Sequence, residues 1–274
     1  MAVRPIPIPI TDPADPRIAA YRDIRDRDLV GRDGLFVAEG KVVLTMLLAS
    51  PRHRPLSLLI AEHRLAALAD LLADVPADVP VFAARQAVLD GIAGFPMHRG
   101  ILAIGRRVAM PDADELLTGL PDRAVVVVLS AIANHDNIGG IFRNAAAFGT
   151  AAVLLDADCC DPLYRKAIRV SVGAALVVPF AHIPRAVDPI DLLARHGFEV
   201  IALTPSGGEE LADIRVGPRT AVLLGAEGPG LAPDLIARTR GVRIAMAPGF
   251  DSLNVATTSG IVLHHLRSRP ESGR

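Results

Sequence analysis

Three stretches carry residue types that could do chemistry. ANHDNIGGIFRNAAAFG (133–149) follows the apolar run AVVVVLSAI and places Asn137 and Arg143 beside glycines. LLGAEGPGL (223–231) holds Glu227 among three glycines, the first of them Gly225. RIAMAPGFDSLNVATTSGI (243–261) brings Ile244, Ser252, Leu253 and Asn254 around a Pro-Gly loop. An arginine can hold a phosphate or a developing oxyanion through its charged fork. A carboxylate and a carboxamide can orient it, and glycine lets the backbone come close to a ligand. Blander readings stay open for each stretch taken alone. Asn137 sits where a helix N-cap belongs, Arg143 suits a solvated surface, a glycine turn is common, and Asn254 suits a structural role.

The elements that position these stretches are short apolar strands alternating with amphipathic helices, the pattern of an α/β fold with a mostly parallel sheet. Strand 124–132 leads into a helix from about 138 to 148, with Arg143 in its second turn and leaning toward the helix N-terminus. Strands are expected at 151–156, 175–180, 198–203, 220–225 and 242–246. Helices are expected near 164–171, 188–196 and 233–239, with a last helix at 252–267 opened by Asp251 and Ser252. In open α/β sheets ligands bind outside the carboxyl ends of such strands, which is where the three stretches fall.

Ahead of this half, LFVAEG (35–40), KVVLTMLLAS (41–50), LSLLI (56–60), EHRLAALADLLAD (62–74), VPVFA (79–83), RQAVLDGI (85–92) and GILAIGRR (100–107) repeat the alternation. Arg17–Arg27 reads as helical. The expected organisation is an extended arm at 1–16, an α/β domain at 17–109, a linker at 110–123 and a second α/β domain at 124–268.

Composition narrows the function classes. The 274 residues are 51% hydrophobic and 22% charged, with net charge −1 and mean hydropathy +0.37. No apolar run reaches the roughly 18–20 residues that span a bilayer, and the start alternates proline where a leader would be apolar. A soluble, cytosolic protein is the expectation. The charge balance argues against non-specific coating of nucleic acid but leaves room for a local basic patch. Only Lys41 and Lys166 are lysines, an arginine bias that suits phosphate contacts or reflects a GC-rich genome. Cys159 and Cys160 are adjacent and lack the spacing of a metal site or a disulfide framework.

Taken together, the stretches spell N-x-x-N-I-G-x-x-x-R-x-A, then L-G-x-E-G-x-G-L, then I-x-M followed by S-L-N-V. In that order they resemble the three motifs of the SpoU/TrmH branch of the SPOUT RNA methyltransferases. LYRKAIRVSVGA (163–174) resembles the segment between the first two. FVAEG (36–40) and HRGILAI (98–104) resemble the ribosomal-protein-like α/β domain that binds substrate ahead of this catalytic domain. The resemblance implies a trefoil-knotted catalytic domain, a homodimer, S-adenosyl-L-methionine as cofactor, and methylation of a ribose 2′-hydroxyl in rRNA or tRNA. It implies Gly225, Ile244 and Leu253 as cofactor contacts, and Arg143 as the catalytic arginine with Asn137, Glu227, Ser252 and Asn254 around it. His135 and Ala245 stand where the family commonly has proline.

Such a transfer needs alignment more than a metal, and the sequence offers no ligand cluster. Arginine stays protonated, so Arg143 is expected to clamp the adjacent phosphate and stabilise the alkoxide, with the proton leaving to phosphate or water. Two other classes are a non-catalytic RNA-binding knot protein, which retention of Arg143 and Asn254 argues against, and a Rossmann nucleotide enzyme, whose G-x-G-x-x-G is missing.

Overall fold

The computed structural model describes residues 5–22, 34–93, 97–108, 110–250 and 252–268. They fall into two compact units: residues 1–109 with 163–177, and residues 110–162 with 178–274.

The first unit contains β1 (Ile8–Ile10), β2 (Leu35–Glu39), α1 (Lys41–Ala49), β3 (His53–Ala61), α2 (Ala69–Ala73), β4 (Val81–Ala84), α3 (Gln86–Ala93) and β5 (Ile101–Arg107). Its sheet has the order β1-β4-β3-β5-β2. The β1-β4-β3 part is parallel, whereas β5 runs antiparallel to β3 and β2. The amino-terminal arm therefore contributes an edge strand, and its prolines are tolerated because an edge can forgo ladder donors. Residues Pro16–Tyr21 form a 3-10 helix; the expected helix beyond residue 22 lies outside the described residues. Tyr21 is fully buried and its hydroxyl meets Ser57 Oγ at 2.7 Å.

The second unit begins with α4 (Ala113–Thr118), β6 (Ala124–Leu129), α5 (His135–Phe148) and β7 (Ala152–Leu155). The stretch expected as a linker is thus part of the fold. Asp112 and Glu115 form a reciprocal capping box, and Ala113 and Leu117 enter the second unit's core. Its acidic and proline residues face out and disguise those two anchors.

The chain then joins the first unit for α6 (Arg165–Val170) and a 3-10 turn at Ala174–Leu176. A strand was expected at 175–180. Val172 and Gly173 take positive φ (55° and 83°), and Ser171 Oγ accepts from the Ala175 amide, so the backbone coils there. Arg165 is anchored on Glu39 at 2.9 Å, with both side chains largely buried.

Back in the second unit come β8 (Phe180–His182), α7 (Pro189–Arg195), β9 (Glu199–Leu203), β10 (Glu209–Glu210), β11 (Arg219–Leu224), α8 (Pro233–Ala237), β12 (Arg240–Arg243) and α9 (Val255–Ser268). The sheet order is β10-β12-β9-β11-β6-β7-β8, and every pairing is parallel. From β6 the chain moves outward through β7 and β8, and its later strands fill the opposite side. That change of direction opens a crevice at the strand ends. The buried apolar runs of β6, β7 and β11 are what a sheet covered on both faces requires.

Candidate functional site

Helix α5 starts at His135, three residues before the expected start, because Asn134 caps it. Its Oδ1 accepts from the amides of Asp136 and Asn137. Asn137 is therefore not the cap. It lies in the first turn, 5% exposed, where its side chain is free for another partner. Arg143 consequently falls in the third turn of α5, not the second.

Helix α9 starts at Val255, not Ser252, and its cap is Asn254. Asn254 Oδ1 accepts from the amides of Ala256 (3.0 Å) and Thr257 (3.2 Å). Asp251 lies outside the described residues, and Ser252 is exposed before the helix. The amide end of Asn254 does a second job. Its Nδ2 donates to Asn137 Oδ1 at 2.8 Å and to Glu227 Oε1 at 2.7 Å. One side chain thus caps a helix and ties the three stretches together, with both amide hydrogens and the carbonyl engaged.

The docking of α5 on α9 makes this contact possible. A Cβ on Gly140 would lie 2.7 Å from the Ala256 Cβ, so only glycine allows the approach. Asn144 Nδ2 donates to Ala256 O (2.7 Å) and Ser259 Oγ (2.9 Å), sealing a seam of small residues. Asn144 was not singled out in the sequence; an Asn seven residues after Asn137, two turns along one helix face, was the available signal.

A cleft of about 560 Å³ opens beyond β9, β11 and β12. Gly225, Glu227, Ile244, Ser252, Leu253 and Asn254 all line it. Strand β12 ends at Arg243, one residue before Ile244 and earlier than expected, so Ile244 and Met246 become loop residues facing the cleft. Gly225 has a reason of its own. A Cβ there would meet Gly230 C and Leu231 N at 2.5 Å, so the glycine loop closes on itself at this point. The Gly230 amide bonds Ala226 O at 3.0 Å, which fixes the hairpin-like turn presenting Glu227. Arg143 is not among the cleft-lining residues. It is exposed, and among the described residues it makes no hydrogen bond or ion pair.

Among the described residues no group of three or more His, Cys, Asp or Glu is arranged to hold a metal, and no helix is long and apolar enough to cross a membrane. Residues 124–264 match the model of the SpoU rRNA methylase family. The chain belongs to the SpoU family. A Mycobacterium tuberculosis protein named as an uncharacterised tRNA/rRNA methyltransferase is 42% identical over 268 residues, covering 93% of this chain and 90% of that one. RlmB of Ralstonia nicotianae, a 23S rRNA (guanosine-2′-O-)-methyltransferase, is 32% identical over 192 residues, covering 68% and 76%. The fold is that of an AdoMet-bound rRNA methyltransferase from Sinorhizobium meliloti, with TM-score 0.78 at 22% identity over 95% and 97% of the two chains. This SpoU protein is therefore of the tRNA/rRNA methyltransferase type, and the three sequence stretches meet in its second unit.

Proposed function

We propose that this SpoU protein transfers a methyl group from S-adenosyl-L-methionine to a ribose 2′-hydroxyl of rRNA or tRNA. The observation that carries the reading is the Asn137–Asn254–Glu227 relay at the lip of the cleft. The name of the Ralstonia relative supports the ribose over the base.

The cleft fits a nucleoside-sized cofactor. Its volume lies within the ~300–1,000 Å³ usual for small-molecule sites, its walls include Leu224, Ile244 and Leu253, and the glycine loop offers backbone groups. Gly225, Ile244 and Leu253 are assigned to hold it. When bound, the cofactor supplies a sulfonium methyl already activated for in-line displacement.

The chain's own residues align the acceptor. Glu227 is exposed, with one oxygen held by Asn254, so the other can orient a group of the RNA. Ser252 also lines the cleft. Arg143 is assigned to the phosphate next to the target, where its fork stabilises charge on the forming alkoxide while the proton leaves to phosphate or water. The first unit is assigned to choosing the RNA. The knotted form of the second unit and the homodimer belong to the same proposal, and sedimentation at micromolar concentration tests the dimer.

The chemical test is incubation with radiolabelled S-adenosylmethionine and rRNA or tRNA, followed by alkaline hydrolysis. A 2′-O-methyl blocks cleavage at its own phosphate, so label is expected in alkali-resistant dinucleotides. Label recovered in single nucleotides bearing a methylated base would overturn the ribose assignment.

A further inference from the structure

The first unit's positive charges divide into two groups. Several arginines have partners within the unit. Arg17 pairs with Asp15, Arg54 with Asp78 and Arg165 with Glu39, and Arg52 donates to Val177 O at 2.9 Å. Lys41, Arg64, Arg85 and Arg99 differ. All four are exposed, and among the described residues none has a carboxylate partner, which is also true of Arg106 and Arg169 elsewhere in the unit.

The sheet topology puts these four in a row. Arg85 directly follows β4, Arg64 closes the turn after β3, Arg99 precedes β5, and Lys41 opens α1 after β2. Because β5 is antiparallel, its start lies at the same edge as the ends of the other three. The order β4-β3-β5-β2 is the order of neighbours in the sheet. Each of four adjacent strands thus delivers one cation to one edge. With strands ~4.8 Å apart, the row spans about 14 Å.

Packing links three positions of the row, those of Lys41, Arg99 and Arg64. A Cβ on Gly40 would lie 3.1 Å from Arg99 Cδ, and one on Gly100 would lie 3.5 Å from Arg64 Cγ. Arg64 also donates to His98 O at 3.4 Å. Helices α1 and α3 begin at this edge, so their dipoles add positive potential. The acidic groups do little to cancel it. Asp90 is turned inward, accepting from the Met97 amide and Gln86 Nε2, and Glu62 is the one exposed carboxylate in these turns. In a chain of net charge −1, four unneutralised cations on one edge form a local feature of the surface.

We infer that this edge is the phosphate-binding face on which the RNA backbone is held, with Lys41, Arg64, Arg85 and Arg99 each neutralising a phosphate. The inference rests on the RNA methyltransferase reading and adds the surface that reading lacks.

The test uses the full chain with Lys41→Gln, Arg64→Gln, Arg85→Gln and Arg99→Gln combined, and a control with Arg54→Gln and Arg106→Gln at the opposite edge. Binding to rRNA and tRNA transcripts is titrated across salt concentrations, and S-adenosylmethionine affinity and thermal melting are measured alongside. The slope of log K against log salt is expected to fall in magnitude by about 3 in the quadruple variant, with affinity down roughly 100-fold or more at 0.15 M salt. The control should shift little, and cofactor affinity should hold. If the quadruple variant melts early, the pairs Lys41/Arg99 and Arg64/Arg85 should each remove about half of that slope. An unchanged slope, an equal loss in the control, or wild-type binding to anionic phosphatidylglycerol vesicles in place of RNA would overturn the assignment. A wild-type chain that binds RNA through this edge yet never methylates it would defeat the activity reading and leave the edge standing.

Discussion

Asn254 does two things that one substitution can separate. Aspartate is as good an N-cap as asparagine, so Asn254→Asp keeps α9 capped. It removes the amide donor and sets a second carboxylate against Glu227, 2.7 Å from the present donor. Stability is expected to fall by about 1–3 kcal/mol, because the buried Asn137 carbonyl loses its donor, while turnover falls ~100-fold or more, as it does when a positioned donor is removed. Asn254→Ala loses the cap as well and leaves the buried Asn137 carbonyl without its partner, for a combined cost of roughly 2–4 kcal/mol. Urea titration and single-turnover methylation of both variants check the split; equal damage to stability in the two would show that the relay is structural. Arg143 offers the opposite profile. It is exposed and, among the described residues, has no hydrogen-bond or ion-pair partner, so Arg143→Lys should leave melting unchanged yet lose about 10²–10³ in rate, because lysine cannot present a planar fork. Turnover within a few-fold of wild type would remove Arg143 from the mechanism. At this scale the sequence was informative about where the residues converge, since six of the eight candidates line one cleft and a seventh, Asn137, is bonded to it. It was not informative about the caps. Asn134, Asn137, Ser252 and Asn254 are all good N-cap types, and only the backbone path decides between them.

The α5–α9 seam shows how elements aim those residues. Gly140 and Ala256 are as close as two helices allow, so Gly140→Ala should push α9 away and pull Asn254 off Asn137. The paired change Gly140→Ala with Ala256→Gly restores the room, at about 1 kcal/mol for glycine within a helix. Methylation rate should therefore drop in the single variant and recover in the double. A double variant no better than the single would mean that the seam does not position the relay. The small residues of 256–260, Ala-Thr-Thr-Ser-Gly, are the sequence signal that fits such close packing. The α4 helix was less legible, because an acidic, proline-bounded stretch looks like a connector until Leu117 is seen fully buried. The expected strand at 175–180 failed for a related reason. An apolar run looks the same whether it is extended or coiled, and the positive φ of Val172 and Gly173 is not a preference any β-branched residue announces.

At the scale of the whole molecule, the two units are not two successive lengths of chain. Residues 163–177 carry motif-like sequence between the catalytic stretches yet pack with the first unit, held there by the Arg165–Glu39 pair and by Ser50 Oγ and Arg52 donating to Leu176 O and Val177 O. No local signal marks such an affiliation, which depends on contacts across more than a hundred residues. A fragment starting at residue 110 should therefore be a poor test of the catalytic half. It would strip the covering from Ala175 and Leu176, both buried in the full chain, and is expected to aggregate or to melt well below wild type in light-scattering and thermal assays. A monodisperse fragment with wild-type melting would show that 163–177 can stand without its first-unit partners. The same interleaving sets a timetable during synthesis. The first 109 residues leave the ribosome without the segment that completes their unit, and residue 177 follows 68 residues later. At the usual 5–20 residues per second that gap lasts about 3–14 s. Through that interval the nascent first unit presents the incomplete face on which 163–177 will settle, so pausing or chaperone capture between those two points should decide how much of the protein folds.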